Sequence, residues 1–294
     1  MHTLALAALL LATPKSAAPV ETPVYVAVCR EVREDVFPRG AGMRIELLAA
    51  LEGGTLQPVE LGVVRSPSPL VSRIGGLEWH FLAPDGSSGR AERFADARLV
   101  YGWNEPEEDG EAPGIGDDEA LLVLGACEMP GTVYATRPVG AVALAKAGAR
   151  DEKRVREEIL RAGSGNAIDV VRVGDAVIGR GRVTPDRSLI ENVLASYPEG
   201  MRGEMREAVD ASAGPIDVFV LVSPALTEPL RIGEHMGFAA QSVILSAIVS
   251  IGGEDIALVV HSHDSIESSS AFTGSVILLR TGQRFDTTLA GSGC

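Results

Sequence analysis

Six short apolar or alternating runs fill the first half of this chain, and they most constrain its fold. They are 24–28, 43–51, 57–64, 78–82, 97–103 and 120–125. Turn-forming residues separate them: Gly53-Gly54, Ser66-Pro67-Ser68-Pro69, Gly75-Gly76 and Pro84-Asp85-Gly86. Runs of that length between such punctuation predict β-strands, and their number predicts an antiparallel sandwich or barrel. Periodicity alone leaves one of them, 43–51, open to a helical turn.

The pattern changes near Gly148. Residues 151–162 carry charges at helical spacing, with Glu152/Arg156 and Glu157/Arg161 four apart. Asp151 suits the N-cap and Gly163 the position after the last turn. The apolar stripe of Val155, Ile159 and Ala162 is thin, so a surface linker helix is expected. Beyond it, 168–173 and 176–179 flank Gly174-Asp175, a hairpin turn signal. Thr184-Pro185 predicts the cap and first residue of a further helix with Leu189, Ile190, Val193, Leu194 and Tyr197 on its buried face. A second helix is expected over 201–209. The run 216–222 reads as a strand buried on both faces. The stretch 238–251 is apolar under either period, so helix and strand both stay open. Strands are expected again over 256–261 and 275–280. The fold class that results is α+β, with a β-rich domain (19–145), a linker helix (146–165) and an α+β domain (166–294).

Residues 1–18 read as a secretory signal peptide: Leu4 to Ala12 is apolar, and Ser16-Ala17-Ala18 offers small residues for cleavage. The apolar run is about ten residues, far short of the roughly 20 that span a bilayer, so no transmembrane span is expected. Export to the periplasm or the medium makes a disulfide possible. Among Cys29, Cys127 and the terminal Cys294, the pair Cys29–Cys127 is favoured, because both sit in apolar, strand-like segments.

A 294-residue chain with 46% hydrophobic residues affords a real core. Its net charge of −14 opposes binding to phosphate backbones, so nucleic acid is excluded as a natural partner. Aromatic residues make up only 4%, which weakens base-stacking and carbohydrate-platform readings. Residues 105–119 hold eight carboxylates and no basic residue. They lack the ligand order of a calcium-binding loop, and read instead as a solvated, self-repelling loop.

Chemistry concentrates at His261-Ser262-His263-Asp264. Two histidines at i,i+2 on a strand share a face and can reach one ion, with Asp264 as third ligand or as the partner that fixes a tautomer. A zinc hydrolase built on them would need a carboxylate base, for which Glu228, Glu234 and Glu254 are the nearby candidates. No nucleophile elbow, phosphate loop or His-Glu-x-x-His motif occurs. With no complete catalytic set, the sequence favours a non-enzymatic binding or structural protein without a cofactor, its partner an unknown protein or small molecule. The zinc hydrolase is the alternative.

Overall fold

The computed structural model describes residues 22–32, 41–57, 59, 69–91, 93–101, 120–184, 186–204, 206–207, 215–232, 241–264 and 270–290. The signal segment, the acidic stretch 105–119 and Cys294 lie outside them.

Strands dominate, all of them paired antiparallel, in three sheets. The first sheet is built from β1 (Val24–Val32), β2 (Gly42–Glu52), β3 (Thr55–Gln57), β4 (Trp79–Leu82), β5 (Ser88–Ala91), β6 (Arg98–Tyr101), β7 (Ala120–Ala126) and β8 (Val133–Ala135). Its order is β5-β4-β8-β1-β2-β7-β6, with β3 also paired to β2. The chain next lays down β9 (Val139–Ala141) and then β10 (Ala145–Lys146). After helix α2 (Ala149–Leu160) come β11 (Ser164–Val173), β12 (Ala176–Thr184), β13 (Ile216–Val222) and β14 (Leu230–Ile232). With β10 they form the second sheet, a meander in chain order. The last four strands are β15 (Gln241–Ile251), β16 (Glu254–Asp264), β17 (Ser270–Leu278) and β18 (Arg284–Ala290). With β9 at one edge they make the third sheet, β18-β17-β16-β15-β9.

Side-chain alternation shows how the sheets stack. On β16, Ile256 and Leu258 pack with Val26, Val28 and Leu48 of the first sheet. The intervening Ala257 and Val259 pack with Ile178, Phe219 and Leu221 of the second. The same division holds on β17, where Val276 and Leu278 face one core and Ile277 the other. The C-terminal sheet is therefore the middle layer, with an apolar core on each side. Each outer sheet buries its far face under a helix. Helix α1 (Pro69–Gly75) sets Val71 and Ile74 against Tyr25, Ile45, Trp79 and Leu122. Helix α2 sets Val155 and Ile159 against Val177, Val218 and Val220. The order of layers is helix, sheet, sheet, sheet, helix.

This stacking decides the segments that periodicity left open. Residues 241–251 form a strand, apolar on both faces because both faces are covered. Residues 43–51 lie within β2. Helix α1 was not expected: it is two turns long and sits between the Ser-Pro and Gly-Gly signals that read as loop. Helix α2 packs closely on the second sheet. Its thin stripe suffices because β12 presents glycines beneath it: a Cβ on Gly179 would sit 2.0 Å from Val155 Cγ1, and one on Gly181 2.5 Å from Ile159 Cγ2. The helix starts after Gly148, not at Asp151. Asp151 falls in the first turn, where a carboxylate suits the helix dipole, and accepts a hydrogen bond from Arg172 of β11. Helix α3 (Arg187–Ser196) begins after Asp186, because Thr184 is still paired to Ser164 in the sheet. The helix expected over 201–209 is entered through a 3-10 turn, Glu199–Met201, and its described residues 202–204 and 206–207 are helical.

The glycine contact gives a direct test. Gly179→Ala should cost about 1–3 kcal/mol, the usual range for overpacking a closed core, read as a lower urea midpoint. Gly174→Ala, at a turn with open space beside it but φ +54°, should cost less.

Candidate functional site

β16 is the central strand of the middle sheet, and the histidine motif occupies its last four positions. The Gly252-Gly253 turn, both residues at positive φ (60° and 90°), sends β15 back as β16, and a shift between Leu245 and Ala247 then sets the register of the histidine end. In that register His261 lies opposite Val243 of β15 and Thr273 of β17, and His263 opposite Gln241 and Ala271. Asp264 pairs with Ser270. The ladder with β17 runs from Ile256 to Asp264 without a shift. Positions 261 and 263 thus share one face of the strand, and 264 takes the other. Among the described residues, no group of three or more His, Cys, Asp or Glu comes together in a way that could hold a metal.

Of the carboxylates suggested as bases, Glu254 stands far from this end. Glu254 opens β16, so ten residues of strand, about 33 Å, separate it from Asp264. Its carboxylate takes two hydrogen bonds from Arg280, at 3.2 and 2.8 Å. Glu228 is exposed in the connection between β13 and β14. Glu234 lies outside the described residues.

A polar group that the sequence did not single out lies two positions back along the same sheet. Ser275 of β17 stands opposite Val259 of β16 and Asp286 of β18. It is only 1% exposed and donates to Asp286 Oδ1 at 2.6 Å. Arg284 Nε donates to the same oxygen at 2.5 Å. The serine gives its proton directly to a carboxylate held by a guanidinium, with no imidazole between them. That arrangement ties β17 to β18 and does not resemble a Ser-His-Asp relay. The only signal in the sequence was the turn around Gly282, which sets the register of this hairpin.

Cys29 and Cys127 are joined in a disulfide, with 5.9 Å between Cα atoms. Cys29 belongs to β1 and Cys127 follows β7, and β2 lies between those strands in the sheet order. The bond therefore ties the two flanks of β2 together. Cys127 N–H also donates to Met43 O of β2, and Cys29 N–H to Thr132 O.

A buried acid with a raised pKa lies elsewhere, in the first sheet. Glu46 of β2 is 1% exposed and accepts a hydrogen bond from Arg30 Nε of β1. Its other oxygen, Oε1, is buried with no hydrogen-bond partner. Burial pushes this carboxyl above its usual value of 4.5, and Arg30 pulls it back only in part. The folded state therefore holds a proton that the unfolded chain gives up near pH 4.5. Its contribution to stability is fully present below that pH and is lost as pH rises toward the folded-state pKa. Glu46→Gln removes the titration: the stability of the wild type relative to the variant should fall as pH rises from about 4.5 in urea titrations. Parallel pH profiles would show that Glu46 does not titrate this way.

His80 of β4 sits 3.6 Å from Glu78, in a surface ion-pair group with Arg90. Among the described residues no helix is long and apolar enough to cross a membrane. No family model, curated protein or solved structure matches the chain.

Proposed function

We propose that this is an exported cell-envelope or extracellular protein whose role is binding or structural rather than catalytic. The observation that carries the reading is the Cys29–Cys127 disulfide. Such bonds persist in oxidising compartments and are rare where glutathione and thioredoxin keep thiols reduced. The signal-like residues 1–18 point to the same compartment. Where the side chains are described, from Leu245 to Val259 and from Val276 to Leu279, both faces of the middle sheet are taken up by packing. The partner is a protein or a small molecule; the net charge of −14 disfavours nucleic acid.

Fractionation of the native producing cells tests this reading. The protein should be recovered from the periplasm or medium with both cysteines unreactive to alkylation unless first reduced. Recovery from the cytoplasm with free thiols would overturn it.

A second reading is a zinc-dependent hydrolase using His261, His263 and Asp264, with a zinc-bound water as nucleophile. The spacing of the two histidines on an unbroken strand favours it. It requires a carboxylate base from a segment other than the start of β16, because Glu254 stands at the far end of that strand.

A further inference from the structure

One edge of the layer stack names a partner class, an inference that rests on the binding role proposed above and deepens it. Residues 139–146 run from β9, the last strand at that edge of the middle sheet, to β10, the edge strand of the second sheet. Among the described residues, no strand pairs with the outer side of β9 or of β10. Val139 packs into the core shared with the first sheet, and Val142 against the core shared with the second. The segment is therefore pinned across the edge of the stack from both cores. Its other apolar side chains face out: Ala141, Ala143, Leu144 and Ala145 are exposed, Leu144 to 56%.

Open strand edges are usually guarded by charge, proline or a bulge. Gly140 to Ala145 contains no charged residue and no proline, and the ladder of β9 with β15 runs without a shift. The charge around this strip is also unlike the rest of the chain. Residues 129–150 hold no Asp or Glu, the longest run without one in a protein of net charge −14. They hold three basic residues, Arg137, Lys146 and Arg150, all exposed. Among the described residues no carboxylate pairs with any of the three, and Asp151, the next carboxylate, is taken by Arg172. We propose that this strip binds an extended, acidic polypeptide segment, which adds as a strand along β9 and sets its carboxylates against Arg137, Lys146 and Arg150. A polypeptide supplies the N–H and C=O groups that an open strand edge requires, and a lipid chain supplies none. A second copy of the same strip would bring like charges together.

The test is fluorescence anisotropy of a labelled peptide of alternating valine and glutamate, titrated with the full, oxidised protein. Two counterparts are titrated alongside, one with lysine for glutamate and one N-methylated at every residue. Saturable binding is expected, with both counterparts at least about tenfold weaker. The triple variant Arg137→Glu/Lys146→Glu/Arg150→Glu and the single variant Leu144→Asp should each weaken binding at least about tenfold. Each is first shown to melt with the wild type. Arg73→Glu/Arg93→Glu, which reverses exposed cations outside the strip, should leave binding unchanged. No saturable binding overturns the proposal, as does equal binding of the N-methylated peptide or an equal loss in Arg73→Glu/Arg93→Glu. Binding to phosphatidylglycerol vesicles without peptide binding overturns it in favour of a membrane surface. A dimer that Leu144→Asp dissociates overturns it in favour of a second copy of the chain. Export and disulfide state are read by fractionation without any peptide, so this proposal can fail while the compartment reading stands.

Discussion

Replacing Cys29 and Cys127 together by alanine should lower stability by about 4–5 kcal/mol. The bond joins residues 98 apart in sequence, and closing a loop of that size in the unfolded chain is worth roughly that much. Alanine is the substitute of choice because Cys29 is fully buried, and a serine hydroxyl there would add an unpaired polar group. Thermal unfolding of oxidised wild type, reduced wild type and the double variant measures the effect. The two forms lacking the bond should melt together, about 10 °C or more below the oxidised protein. Equal melting of all three would show that β1 and β7 are held to β2 by their ladders alone.

Phe219→Ala should cost about 3–5 kcal/mol, the range for emptying a large aromatic site in a closed core. Phe219 is 0% exposed and lies where the second sheet meets the middle one, against Ala257, Val259 and Ile277. The middle sheet also shares its opposite core with the first sheet. The loss should therefore lower the midpoint of one cooperative transition, with the denaturant slope unchanged. Two separate transitions, only one of them shifted, would mean that the outer sheets unfold independently and that the middle layer does not couple them.

Much of this fold was legible as a list of strands, and little of it as an arrangement. The runs at 24–28, 78–82, 120–125 and 216–222 are all strands because their composition and punctuation leave few alternatives. Within the stretch 238–251, the described residues 241–251 resisted assignment for a physical reason. A strand covered on both faces loses the alternation that identifies strands, and that cover comes from sheets distant in sequence. Gly179 and Gly181 read as weak points in a strand, yet they are where α2 approaches β12. Glu46 occupies a polar position in an alternating run, which normally means solvent. Only the layer above it and Arg30, sixteen residues away, make it a buried acid.

At the candidate site, spacing alone paired the two histidines. The extent of β16, unbroken from Glu254 to Asp264, was needed to put position 264 on the other face and Glu254 a strand's length away. Cys29 and Cys127 were matched by compartment and by apolar context. The reason they meet, two strands flanking a third, is visible only in the sheet order.

Peptide mapping of the protein purified from its native source, alkylated without reduction, tests the central claim most directly. The account predicts a cross-linked peptide pair containing Cys29 and Cys127, and a mature N-terminus at Pro19 or Val20. Alkylated Cys29 and Cys127 on a chain that retains its first eighteen residues would contradict it.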